Sequence, residues 1–431
     1  MRRVTVVGGG LAGCETALQL SARGIEVELI EMRPEKNTPA HRSPNLAELV
    51  CSNSLKSENI QTASGLLKAE LGLLGCFLLK MADGARVPAG HALAVDRDLF
   101  GSIVSSAIDG DPRITLARRE QTDLALPGCA VIATGPLTSE ALSASIREHL
   151  GDEHLYFYDA ISISLATESI DTGRMFRASR YGKGNADYWN IPLTRQQYTG
   201  LLEFLKSSAK AEKHGFEDGM CFDACLPVDV LAGRGDDTLR FGPLKPRGLD
   251  DPLTGREPYA VIQLRQENAS GSMTGMVGFQ TRMTYASQKQ MLKLIPGLEN
   301  AEIVRFGSIH RNTFIDSPRL LDEGQMSLRR KGLFFAGQIT GVEGYVESIA
   351  HGLIAARNIV DFMDGGTYRI FPPETILGGL QRHLSGGASP FQPMNANFGI
   401  LPPVGGERAL RKNRKAERSL DALKIFLDRR D

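Results

Sequence analysis

Apolar residues run from Val4 to Val7 and break at Gly8-Gly9-Gly10-Leu11-Ala12-Gly13. A helical stretch follows to near Gly24, and Val27-Glu28-Leu29-Ile30-Glu31 closes the pattern. Strand, glycine turn, helix and second strand make a β-α-β unit. The glycine spacing suits the ADP half of a dinucleotide. Gly8 permits the tight turn, Gly10 lets backbone N–H groups approach a pyrophosphate, and Gly13 allows helix and strand to pack closely. The positive end of the helix dipole supports the phosphates. Glu31 ends the second strand where an acid accepts ribose hydroxyls, and its charge disfavours a 2′-phosphate. The expected cofactor-binding residues are therefore Gly8, Gly9, Gly10, Leu11, Ala12, Gly13 and Glu31.

Two later runs repeat the pattern. Ala130-Val131-Ile132-Ala133-Thr134-Gly135-Pro136 reads as a buried parallel strand with a glycine turn. Gly332-Leu333-Phe334-Phe335-Ala336-Gly337-Gln338 does the same, leading through Gly341-Val342-Glu343-Gly344-Tyr345 into a small-residue helix. Gly135, Gly337, Gln338 and Tyr345 join the expected site. Three such strand ends imply FAD rather than NAD as the resident cofactor. The stretch between the last two strands is too long for one crossover and reads as an insertion, with strand-like runs at Tyr156–Tyr158, Tyr259–Leu264 and Met276–Phe279 and a helix near Gln196–Lys213. The expected fold class is α/β, an FAD-binding Rossmann-like domain of the glutathione-reductase type with an inserted α+β domain. Its expected boundaries are 1–140 and 326–370 for the FAD domain, 141–325 for the insertion, and 371–431 for a C-terminal segment packing on the FAD domain and ending in a basic helix near Glu407–Arg430.

Composition changes this picture in three places. With 431 residues, 42% hydrophobic, the chain can build two cores. No apolar run approaches the ~18 residues of a membrane span and the first strand begins right after Met1-Arg2-Arg3, so the expectation is a cytoplasmic protein without a signal peptide or membrane association. The 6 cysteines form no C-x-x-C, so neither a disulfide framework nor a metal site is expected, and any special cysteine is a nucleophile. The formal net charge of +0 leaves nucleic-acid binding to a local basic patch. Arg174, Arg177, Arg180, Lys183, Lys206, Lys210, Lys213, Lys245 and Arg247, together with the terminal helix, are the candidates for that patch.

Several strings then carry a resemblance. Thr38-Pro39-Ala40-His41, Glu48-Leu49-Val50-Cys51-Ser52-Asn53-Ser54-Leu55, Val87-Pro88-Ala89-Gly90, Ala133–Ser139, His310-Arg311-Asn312-Thr313-Phe314, Gly341–Ser348 and Phe391–Gly399 resemble the folate- and FAD-dependent tRNA (uracil-5-)-methyltransferase family, nearly end to end. The resemblance implies formation of 5-methyluridine in the tRNA T-loop, with carbon from 5,10-methylenetetrahydrofolate passed through reduced FAD and NAD(P)H as reductant. It implies no obligatory protein partner. C5 of uracil is a poor nucleophile until a thiolate adds to C6, and the base must leave its stack to be reached. By resemblance Cys225 is the nucleophile and Cys51 the second functional cysteine. Tyr345 sets its ring against the flavin, and His41, His310, Arg311 and Asn312 are candidate folate and flavin contacts. The chain departs from the family pattern at Asp223-Ala224 and Asp229, at Arg42–Asn45 and at Thr284–Ser287. Two alternatives stay open: methylation of a ribosomal RNA uridine, or a folate-dependent flavoprotein oxidoreductase or demethylase with a non-RNA acceptor.

Overall fold

The computed structural model describes residues 2–428 apart from 39, 152–153, 183–184, 211–225 and 387–390, without the side chains of 154–161, 308–312 and 408. The N-terminal pattern folds as β1 (Arg3–Val7), α1 (Leu11–Ser21) and β2 (Glu26–Glu31). There follow β3 (Ser54–Ser57), α2 (Ala63–Leu73), α3 (Phe77–Asp83), β4 (Arg86–Val87), β5 (Ala92–Val95), α4 (Arg97–Asp109), β6 (Ile114–Arg118) and β7 (Cys129–Ile132). With β15 (Leu333–Phe335), the order β15-β7-β1-β2-β6 makes a five-stranded parallel sheet. Alternation along the central strands feeds two cores: Val4, Val6 and Val131 face one side, Val7, Ala130 and Ile132 the other. Strands buried on both faces explain the near-continuous apolar runs in the sequence. The edge strand β6 and the short strands β3 and β4 carry no such runs, and the sequence pattern did not announce them.

The chain then adds α5 (Glu140–Leu150), β8 (His154–Ala166), β9 (Phe176–Arg177), β10 (Tyr188–Leu193), α6 (Arg195–Ser207), α7 (Val228–Gly233) and α8 (Thr238–Phe241). After these come β11 (Ala260–Gln266), β12 (Met273–Gln280), α9 (Tyr285–Leu292), β13 (Ile303–Arg305), β14 (Ser308–Ile315) and α10 (Ser317–Leu320). The strands form a second, seven-stranded sheet in the order β13-β8-β12-β11-β10-β9, with β14 also on β8. Its core runs from Ile163 to Leu298, narrower than the expected insertion at both ends. Leu142, Ile146 and Leu150 of α5 and Ile315 and Leu320 pack instead with Val7 and Phe335 on the first sheet. Helix α6 stops at Ser208, whose ψ of 147 leaves the helical region, so the helix ends short of the expected Lys213.

The C-terminal part contributes α11 (Tyr345–Met363), α12 (Ile376–Ser385) and α13 (Arg411–Asp428). α1 and α11 touch backbone to backbone: a Cβ on Gly352 would lie 2.2 Å from Ala12 O, and Thr16 Oγ1 donates to Gly352 O at 2.9 Å. Two buried glutamates cap distant helices. Glu15 accepts the N–H groups of Phe77 and Leu78 at 3.1 and 2.9 Å, and Glu70 those of Ile376 and Leu377 at 2.7 and 3.0 Å. Glu70 also accepts Ser419 Oγ at 2.6 Å, which ties α13 to the FAD-type body. The cations of α13 mostly bond to protein. Arg411, Arg414, Lys415 and Arg418 donate to the carbonyls of Gly406, Gly405, Phe398 and Pro402. The basic run thus holds the 398–406 loop against the helix.

Candidate active site

The glycine turn is built as its spacing requires. Gly8 has φ +107, and a Cβ there would meet Ala133 O at 2.6 Å; one on Gly13 would sit 1.8 Å from Gly8 O. Gly10 differs, since a Cβ on it meets nothing within 4 Å. It is the N-cap of α1 and no side chain caps that helix, so first-turn amides face open space. The cleft beyond is open to solvent, with a cavity volume of about 70 Å3, and is lined by Gly8, Gly10, Glu31, Arg119, Thr134 and Ser139, among others. These features fit an anionic dinucleotide. Leu11 and Ala12 are buried, and Ala12 packs against Gly337 and Gly352, leaving backbone rather than side chains to face a ligand. Gly135, at φ +66, opens the short 3-10 turn after β7.

Glu31 is more committed than its position in sequence suggests. Oε2 accepts Gly9 N–H at 2.8 Å, and Oε1 accepts Arg33 N and Nε at 3.0 and 2.9 Å. Burial alone would raise its carboxyl, but Arg33's charge and hydrogen bonds outweigh it and the net shift is downward. The buried Arg33 also reaches Glu48 at 3.1 Å. His41 lines this same cleft, bonded to Thr38 Oγ1 at 2.6 Å, and burial together with Arg33 lowers it to about 4. It is a neutral imidazole at the nucleotide end.

At the other end, Gly337 and Gly341 take left-handed φ, and Gln338 is tied to Glu343 Oε2 at 2.7 Å. Gly344, φ +117, starts α11. Tyr345 there reaches the Cys51 segment: its hydroxyl accepts the N–H of Cys51 at 2.7 Å and of Ser52 at 3.2 Å. Burial, with the neighbouring Cys51, pushes that hydroxyl up, so it keeps its proton. Glu347 accepts Lys56 Nζ at 3.2 Å through Oε1, while its buried Oε2 has no partner among the described residues. Lys56 itself holds φ +63, a strained backbone for a lysine.

Around Cys51 the structure also assembles residues that no motif announced. Asn53 is fully buried, and its amide donates to Val95 O, Gln266 O and Glu267 O, pinning the Cys51 segment between the two sheets. Arg97 pairs with Glu267 at 2.9 Å, Arg265 donates to Asn53 Oδ1 at 2.6 Å, and Arg305 to Val50 O at 3.0 Å. Nε of both Arg97 and Arg265 is buried and unpartnered among the described residues. Three guanidiniums, with Glu267 and, for Arg305, Glu48 as their acidic neighbours, stand around the Cys51 segment and Tyr345. They come from three separate segments, so spacing gave no signal.

Cys225, with Cys221, lies outside the described residues, as do the side chains of His310, Arg311 and Asn312. Asp229, one of the departures near Cys225, is committed to Thr281 Oγ1 at 2.9 Å and to Arg282 Nε at 2.6 Å. Cys14, Cys76 and Cys129 are buried, and burial pushes all three thiols up, Cys129 to about 12. They are packing residues. Among the described residues no cluster could hold a metal ion, and no helix is long and apolar enough to cross a membrane.

The expected basic patch needs correction. Arg174 pairs with Asp171 and Glu299, Arg177 lies over Trp189, and Lys206 pairs with Asp236. Arg180 and Lys210 donate to backbone carbonyls. Lys183 and Lys213 lie outside the described residues. Those five described cations, Arg174, Arg177, Arg180, Lys206 and Lys210, support the insertion itself.

Comparison with known proteins completes the description. The family model "Glucose inhibited division protein A" matches residues 3–366. A methylenetetrahydrofolate–tRNA-(uracil-5-)-methyltransferase TrmFO of Syntrophomonas wolfei is 51% identical over 405 residues, 94% of this chain and 93% of that one. The protein of the same name from Geobacter sulfurreducens is 50% identical, with 98% of each chain covered. Aquifex aeolicus GidA superimposes with a TM-score of 0.71 at 16% identity, over 98% of this chain and 73% of its own, a likeness of fold.

Proposed function

The chain belongs to the GidA family and, within it, to the TrmFO methyltransferases, and from that premise we propose that it forms 5-methyluridine in the T-loop of tRNA, using 5,10-methylenetetrahydrofolate, FAD and NAD(P)H. FAD, when bound, supplies the reducible ring through which the one-carbon unit and the electrons pass. Gly8–Gly13 and Glu31 hold the ADP moiety, with Gly135 shaping the adjoining turn. Gly337, Gln338 and Tyr345 serve the ring end. Cys225 adds through its thiolate to C6 of the flipped uracil, which moves the ring π electrons toward C5 and O4. C5 then bonds to the methylene carbon, Cys51 accepts the C5 proton, and the bond from that carbon to its carrier breaks to leave an exocyclic methylene; two electrons and a proton drawn from NAD(P)H reduce it to methyl as the Cys225 thiolate leaves and the ring double bond re-forms. The FAD-binding parts, 1–140 and 326–370, carry the cofactor, the insertion provides the folate and RNA side, and the enzyme works in the cytoplasm without an obligatory protein partner.

The observation that carries this reading is the meeting of Tyr345's hydroxyl with the backbone of Cys51. It brings a sequence-predicted cysteine to the start of α11, on the ligand side of the same sheet whose other strand ends form the nucleotide cleft. Arg97, Arg265 and Arg305 gather around the same segment. The test is transfer of labelled carbon from methylenetetrahydrofolate into unmodified tRNA and ribosomal RNA by the yellow protein with NAD(P)H. Label in tRNA 5-methyluridine that disappears in Cys225→Ala is the expected result. Label in ribosomal RNA alone, or in neither RNA while the flavin is still reduced, overturns it.

A further inference from the structure

An aromatic pair, exposed at Tyr285 and half-buried at Phe306, lies near this site. Tyr285, 56% exposed at the first residue of α9, stacks on Phe306 with ring centroids 4.3 Å apart and an interplanar angle of 29°. Two features separate the pair from a stray surface aromatic. It is held rigidly: buried Gln288 donates to Gly307 O and accepts Gly307 N–H, both at 2.8 Å, locking the backbone beside Phe306 to α9. It is also flanked by cations. Lys289 Nζ is 5.9 Å from the Phe306 centroid, and neither Lys289 nor Lys293 has an acidic partner among the described residues, although Glu299 and Glu302 line the far side of the same depression. Its position is informative too. Arg305, the residue before Phe306, bonds to the carbonyl preceding Cys51. Met283 bridges Lys210, and Arg282 grips Asp229. The pair therefore lies close in the chain to residues that contact the Cys51 segment, Lys210 and Asp229.

We propose that Tyr285 and Phe306 are a stacking platform for an unpaired RNA base flanking the target uridine, with Lys289 and Lys293 on its phosphates. The proposal rests on the RNA-methylating reading above. A preformed aromatic face takes any base through its π surface, and adjacent ammonium groups supply the charge complement that an apolar protein partner would not require. The cations of this face are not committed to carbonyls as those of α13 are.

The test uses the flavin-loaded enzyme and an unmodified tRNA transcript, with Tyr285→Ala, Tyr285→Leu, Tyr285→Phe and Lys289→Gln. Loss of one stacked base predicts an increase of about 5- to 140-fold in Kd and KM for the transcript in Tyr285→Ala and Tyr285→Leu. At saturating transcript kcat should fall far less than that, and Tyr285→Phe should restore the wild-type KM. Lys289→Gln should flatten the salt dependence of binding. Tyr285→Leu keeps apolar bulk without a π face, so its thermal midpoint separates stacking from folding. Wild-type KM in Tyr285→Ala, or the same loss in Tyr285→Phe as in Tyr285→Ala, overturns the platform. A wild-type enzyme that leaves tRNA unmethylated overturns the parent reading instead.

Discussion

Gly10→Ala separates a glycine kept for a ligand from one kept for the fold. Gly10 has φ −81 and ψ −168, a conformation alanine adopts freely, and its Cβ would meet no atom within 4 Å. Folding alone gives no reason for glycine here, and alanine should stabilise the cofactor-free protein by ~0.4–1 kcal/mol through the unfolded chain. The new methyl points into the space in front of the α1 amides. Displacing the pyrophosphate there loses one or two charge-assisted hydrogen bonds at ~1.5–3 kcal/mol each. A total of ~1.5–6 kcal/mol weakens FAD by about 10- to 20,000-fold. Gly13→Ala is the contrast, because its Cβ would lie 1.8 Å from Gly8 O and the turn cannot form unchanged. That substitution should cost about 3 kcal/mol or more with or without cofactor. The assay is thermal unfolding of deflavinated protein, followed by FAD titration monitored by flavin fluorescence. FAD affinity in Gly10→Ala within threefold of wild type, or a lowered melting point of its cofactor-free form, refutes the reasoning.

Three further outcomes follow from the same geometry. Tyr345→Phe keeps the ring but strips the acceptor from two amides, so it should cost ~1–2 kcal/mol in thermal unfolding and lower kcat as the Cys51 segment loosens; unchanged kcat would show that this anchor does not position Cys51. Burial raises the Glu70 carboxyl from about 4.5 to about 7, against the hydrogen bonds from Ser419 and the α12 amides. Because the folded pKa is the higher, this group's stabilisation is full below about pH 4.5 and is lost as pH rises through about 7. Glu70→Gln should flatten that part of the urea-unfolding profile between pH 5 and 8, and an unaltered slope would exclude Glu70 as its source. Arg418→Ala should destabilise by ~1–2 kcal/mol, since it caps the carbonyls of Pro402 and Pro403, yet leave the salt dependence of tRNA binding unchanged; a reduced salt slope would return α13 to the RNA interface.

Much of the FAD-type sheet was legible because its central strands are buried on both faces, and such burial demands long apolar runs. Gly8 and Gly13 were legible because the turn itself demands them, Gly8 through its φ of +107 and Gly13 through its approach to Gly8 O. The edge strand β6 was silent for the opposite reason: Thr115, Leu116, Ala117 and Arg118 are all partly or fully exposed, so no apolar run was needed. The basic patch misled because charge in a sequence does not say what it is bonded to. Arg180 and Arg418 look alike in the chain as available cations, and both are occupied by carbonyls brought near only by folding.

The sequence by itself determined the dinucleotide turn, the parallel strand ends and the family, all carried by residues close in the chain or by strings read whole. Tertiary structure alone decided what surrounds Cys51. Tyr345, Asn53, Arg97, Arg265, Glu267 and Arg305 converge from distant segments, and Glu31 and Asp229 turn out to be committed to arginines. The physical reason is range. Turn sterics and strand periodicity act over a few residues and leave a mark in local order, whereas hydrogen bonds and charge pairs depend on distance in space, which the chain sets only once both sheets have packed.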